Sequence, residues 1–148
     1  MGGDRLAAAA LTAAACAFRA PGDHAVLSFA AETRVLRDIG STRPPSAVVD
    51  RVLGLRGHGV TALSGALRAA SAQLERTRAE RRIVVLLSDC RATDDHDPVP
   101  AARRVPELLI LAPESYHAQS AELAARCSRV IRLRDGQIAA PAHQDAAE

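Results

Sequence analysis

Apolar positions recur along this chain at two different spacings, and the spacings alternate. From Asp4 to Phe18 the residues that avoid water fall at helical intervals, which predicts an amphipathic helix ended by Pro21-Gly22-Asp23. His24-Ala25-Val26-Leu27-Ser28-Phe29 then reads as a strand, and Glu32 to Ile39 as a second one, its Thr33, Val35 and Arg37 marking a polar face at a sheet edge. Pro44-Pro45-Ser46 opens a short helix that turns Val48, Val49, Val52 and Leu53 inward, and Gly54 and Gly57 end it.

The second half repeats the alternation with stronger signals. Leu63, Leu67, Ala70 and Leu74 share one face of a helix over residues 62–79, with Arg68, Gln73, Glu75, Arg76 and Arg78 on the outer face. Ile83-Val84-Val85-Leu86-Leu87-Ser88 is apolar almost throughout, the pattern of a strand covered on both faces. A polar loop from Cys90 to Asp97 leads to a short helix over Pro98 to Val105. Leu108 to Leu111 forms another buried strand, Ser115 to Cys127 a helix, and Val130 to Leu133 a last strand closed by Asp135-Gly136. Strands alternating with helices predict an α/β fold, a doubly wound, mostly parallel sheet with helices on both faces and right-handed crossovers. One domain over residues 1–136 and a flexible tail over 137–148 are expected.

Composition narrows the function classes. The 148 residues are 48% hydrophobic but only 2% aromatic, so the core must be built from Leu, Val, Ile and Ala. A net charge of +2, with arginines scattered instead of forming a stripe interleaved with aromatics, argues against nucleic acid as partner. Cys16, Cys90 and Cys127 are odd in number and never form Cys-x-x-Cys, which fits a reducing, cytoplasmic setting. Asp4 cancels the basic start that a signal peptide would need, Leu6 stands where myristoylation requires Ser or Thr, and no run is long enough for a membrane span.

Candidate chemistry gathers at two places: the turn Gly57-His58-Gly59-Val60-Thr61-Ala62-Leu63 before a helix, and Ser88-Asp89 after a buried strand, where α/β sheets place ligands. In order and spacing, Pro21-Gly22-Asp23 before a strand ending at Phe29, Gly59-Val60-Thr61-Ala62-Leu63 and Leu86-Leu87-Ser88-Asp89 resemble von Willebrand factor type A domains. The nearest resemblance is to the bacterial members that accompany AAA+ ATPases such as magnesium chelatase. It covers residues 1–136 and implies a metal-ion-dependent adhesion site for Mg²⁺ or Mn²⁺, with Thr61 matching the family's threonine ligand and Asp89 its aspartate. The family's Asp-x-Ser-x-Ser loop is absent. Met1-Gly2-Gly3-Asp4-Arg5-Leu6 resembles the segment directly after that loop in relatives, so the resemblance implies that the first, central strand is either encoded upstream of Met1, the reading favoured, or truly lost, and that the residues given bind metal weakly if at all.

Thr61 also suits the N-cap of the helix beginning at Ala62, a role compatible with ligation. Cys90 stands where relatives carry Gly, and a Cys-x5-Arg phosphate loop fails because position 96 is His96. Gly54, Gly57 and Gly59 do not follow a strand in dinucleotide-binding order. The function expected is a protein-interaction module, with an AAA+ ATPase as a candidate partner. The alternative is a small metal-dependent hydrolase built on Asp89 with Asp94, Asp95, His96 and Asp97. No paired base and nucleophile accompanies those residues, which disfavours an enzyme.

Overall fold

A computed structural model describes residues 3–55, 60–113, 123, 129–134 and 137–138 of the chain. The elements run α1 (Gly3–Arg19), β1 (Val26–Phe29), β2 (Thr33–Arg37), α2 (Pro45–Leu53), α3 (Leu63–Leu74), β3 (Ile83–Leu87), α4 (Val99–Ala102), β4 (Glu107–Pro113), β5 (Arg129–Arg134) and β6 (Gln137–Ile138). The mixed α/β class is as the alternating periods require. Pro44 is the N-cap of α2, with Pro45 at its first position, where a missing N–H is harmless. The expected turns at Gly57 and Asp135-Gly136, the helix from Ser115 to Cys127 apart from Leu123, and the tail from Ala139 lie outside the described residues.

The strands do not join into the single sheet expected. β1 pairs antiparallel with β2 alone, while β3, β4 and β5 form a parallel ladder extended by antiparallel β6. Among the described residues no ladder connects β1 to β3. β6 also carries the ordered strand structure two residues past the boundary expected at 136.

The larger core forms where α3 and α4 cover the parallel ladder. Leu63 and Leu67 of α3, Leu86 of β3, Leu108, Ile110 and Ala112 of β4, Ala101 and Ala102 of α4, and the helical residue Leu123 close it. β1 reaches this core through Phe29. A smaller core joins Ala10 of α1, Leu36 of β2 and Val52 of α2. Here α1 turns Ala10, Ala13 and Ala17 inward, leaving Leu11 at 72% and Phe18 at 92% exposure. The small inward residues let α1 lie close on α2.

Three burial expectations change. Leu53, expected inside, is exposed at the last turn of α2, while Val48 and Val52 are buried. In β2 the register shifts opposite Val26/Leu27, so Leu36 and Arg37 are buried together and Val35 faces out. Such a bulge places two successive residues against one partner and breaks the alternation that sequence periodicity assumes. Gln73, expected on the outer face of α3, is buried, with only 8% of its surface exposed. Its side-chain oxygen accepts the Ile39 N–H at 3.1 Å and its amide donates to Asp38 Oδ1 at 2.9 Å, an arrangement only the fold could supply. The helix itself is shorter than expected, ending at Leu74.

Candidate functional site

The C-terminal ends of β1 and β3 and the start of α3 meet at one end of the molecule. Beyond β1, the carbonyl of Ala30 accepts the Ala62 N–H at 2.8 Å, fixing the entry to α3. Thr61 precedes this entry and is clasped from the other side. Its N–H donates to Thr93 Oγ1 at 2.7 Å, and its carbonyl accepts the Thr93 N–H at 3.2 Å. Thr93 belongs to the loop that leaves β3, so the two segments singled out in the sequence are brought together. The residue that joins them is Thr93, and not Asp89.

The capping role considered for Thr61 is not adopted. α3 begins at Leu63 with Ala62 as N-cap, and no side chain caps it. The side chain of Thr61 is thereby left without a helix-capping duty.

Asp89 sits directly after β3, as expected of a residue at the carboxyl end of a parallel strand. Its Oδ1 accepts the Arg91 N–H at 3.2 Å, and Ser88 Oγ accepts the Cys90 N–H at 3.0 Å. These two local bonds fold the backbone sharply enough that Cys90 takes a left-handed conformation, φ 58°. Left-handed backbone is disfavoured for a residue with a Cβ, so this is the site's one clear point of strain. Cys90 is buried in the larger core.

The acidic loop divides its duties. Asp97 Oδ1 accepts the Val99 N–H at 2.9 Å and so steadies the start of α4. Asp94 turns inward, with Oδ2 3.5 Å from His96 Nδ1 and Oδ1 buried without a hydrogen-bond partner among the described residues. Asp95 and His96 are exposed. Among the described residues, no three His, Cys, Asp or Glu side chains converge as a metal-binding group. Thr61 and Asp89 are oxygen donors of the kind Mg²⁺ takes, but two fall short of an octahedral shell.

Elsewhere, Asp38 and Glu107 are each held by an arginine. The Gln73 amide, and with it the Arg76 guanidinium at 2.7 Å, holds the Asp38 carboxyl below the ordinary aspartate value. Arg81 grips Glu107 at 2.9 and 2.7 Å and lowers that carboxyl in the same way. Arg37 is buried with its guanidinium on the carbonyls of His24 (2.5 Å) and Ser41 (2.6 Å), tying the loops that flank β1 and β2. Sequence reasoning missed Thr93, Gln73 and Arg37 as partners. A polar residue on an exposed-looking position carries no local sign of what a distant segment will present to it.

Neither a family model nor a curated protein matches the chain. Among solved structures, two crystal forms of proximal thread matrix protein 1 from the mussel byssus share the fold. Their TM-scores are 0.67 and 0.69 at 12% and 10% identity, over 88% and 90% of this chain. The chain spans only 38% and 39% of the length of those proteins. No described helix is long and apolar enough to cross a membrane. The likeness establishes a shared α/β architecture.

Proposed function

We propose that the chain is a protein-interaction module of the von Willebrand factor type A kind, doubly wound around its parallel strands. Its binding face is the end of the sheet that carries Thr61, Asp89 and Asp94. The observation that supports this most directly is the Thr61–Thr93 clasp, which sets the start of α3 against the loop leaving β3. An oxygen-rich edge of this kind suits a divalent cation that keeps an open position for a partner's carboxylate. Within these residues the donor set is incomplete, so the module engages its partner with a weak metal or none. A cytoplasmic AAA+ ATPase is the partner class suggested by the sequence resemblance. The hydrolase alternative loses ground because Asp97 is committed to α4 and no three ligands of the acidic loop converge.

The test combines a metal titration with partner capture. Calorimetry with Mn²⁺ and Mg²⁺ should give dissociation constants of about a millimolar or weaker, equivalent to about 4 kcal/mol or less. Co-expression with an AAA+ ATPase encoded beside this chain should yield a complex that Thr61→Ala combined with Asp89→Ala weakens without changing the melting temperature. Micromolar metal binding retained by the double variant would place the cation elsewhere. A complex insensitive to both substitutions would move the binding face away from this edge.

A further inference from the structure

Several arginines of this chain are answered by an oxygen of the chain itself. Arg76 meets Asp38, Arg81 meets Glu107, Arg37 sits on the carbonyls of His24 and Ser41, and Arg43 and Arg51 both donate to the Leu36 carbonyl. Arg68 and Arg104 differ: among the described residues neither forms an ion pair. Arg68 donates to a neutral hydroxyl, Ser64 Oγ, at 2.8 Å. Both arginines line one cleft.

That cleft runs between α3 and α4 and holds about 140 Å³. Arg68, Ser71, Ala72 and Glu75 line it from α3 and its C-cap, at the i, i+3, i+4 and i+7 spacing that puts residues on one helix face. Ala101 of α4 and Arg104, just past that helix, line it from the other side. Ala101 is buried and makes an apolar floor, while Arg68, Glu75 and Arg104 are exposed along the walls.

Size and charge together select the occupant. A site for a whole small molecule holds about 300–1,000 Å³, so this cleft suits one side chain and not a cofactor. A guanidinium offers its donors as a planar fork that fits a carboxylate or a phosphate, and two such groups on one cleft call for an anion. Glu75 decides between the two anions. A phosphoryl group carries about −1.5 to −2 charge at pH 7 and would be repelled by Glu75, whereas a carboxylate brings one charge to two arginines. Glu75 lies seven positions beyond Arg68 on the same face, about 10 Å along the helix, where it can take a cation further along the same partner segment.

We propose that the cleft between α3 and α4 receives a glutamate or aspartate side chain of a partner protein. Its carboxylate is held between Arg68 and Arg104, and a lysine or arginine of the same segment lies on Glu75. The cleft begins about two helical turns beyond Thr61, so it is a second contact surface on the module. The inference goes beyond the metal-edge reading and needs neither a cation nor Asp89.

The probe is a blocked, alanine-rich helical peptide with one glutamate and, seven residues on, one lysine, titrated into the whole isotope-labelled chain in the presence of a chelator. The side-chain Nε–H signals of Arg68 and Arg104 and the Ser71 amide should shift together and saturate. Arg104→Ala, which removes an exposed side chain, should weaken binding about threefold to tenfold, as should glutamine in place of the peptide's glutamate. Glu75→Gln should weaken the lysine peptide and leave unchanged a peptide whose lysine is replaced by glutamine. Thr61→Ala combined with Asp89→Ala should bind the peptide as the native chain does, which keeps this result separate from failure of the metal edge. Equal binding of the glutamate and glutamine peptides, or an Arg104→Ala chain that binds normally, would overturn the proposal. Inorganic phosphate that saturates the same signals at lower concentration than the peptide would overturn the carboxylate assignment. Shifts that never saturate would leave the cleft a solvated surface and no site.

Discussion

Gln73 shows how much a single buried amide decides in this protein. It satisfies the Ile39 N–H and holds the Asp38 carboxylate, which Arg76 also grips. Gln73→Ala should cost about 1–3 kcal/mol, the penalty of leaving a buried N–H without a partner, read as a shift in urea midpoint at unchanged slope. The same site sets an acid response. Because the folded state depresses the Asp38 pKa, its contribution is present above the ordinary aspartate value and lost as pH falls through the lowered one. As pH falls through and below the ordinary aspartate value, the native chain should therefore lose more melting temperature than Asp38→Asn, which cannot titrate there. Equal slopes would show that the hydrogen bonds of Asp38 do not survive in solution.

At the scale of elements, β3 and β4 share a composition and differ in consequence. Leu108 and Ile110 are enclosed, so Leu108→Ala should destabilise by about 2–5 kcal/mol. Ile83 is partly solvated already, and Ile83→Ala should change stability by less than about 1 kcal/mol. Chemical denaturation of the two variants side by side checks the contrast. A large effect at Ile83 would mean that the free edge of β3 is covered in solution. Helix α1 follows the same logic in reverse, since its core contacts come from Ala10, Ala13 and Ala17, while Leu11 and Phe18 face water.

At the scale of the whole molecule, the described residues form two cores of unequal size. The larger gathers the bulky, fully enclosed side chains of Leu63, Leu67, Leu108 and Ile110; the smaller rests on Ala10, Leu36 and Val52. Fewer apolar contacts mean a lower free energy of local opening. Native-state hydrogen exchange should therefore find α1 and α2 opening sub-globally, with amides exchanging at least about tenfold faster than those of β4. Uniform protection would show that the two cores unfold as one unit.

The sequence by itself determined the kinds and order of the elements from α1 to β4, and of β5 after them, because a helix or strand announces which side chains avoid water through its own local period. The run Ile83 to Leu87, the helical spacing of Leu63 and Leu67, and the placement of Asp89 just beyond a strand were all legible in that way. Boundaries moved by a few residues where no side chain enforces a stop, as at Leu74. Tertiary structure decided what each element meets. The burial of Gln73 and Arg37, the bulge that turns Leu36 inward, the Thr61–Thr93 clasp and the separation of β1–β2 from β3–β4–β5–β6 all depend on segments far apart in the chain. Strand pairing and buried hydrogen bonds are satisfied between such segments, and a local period carries no record of its distant partner.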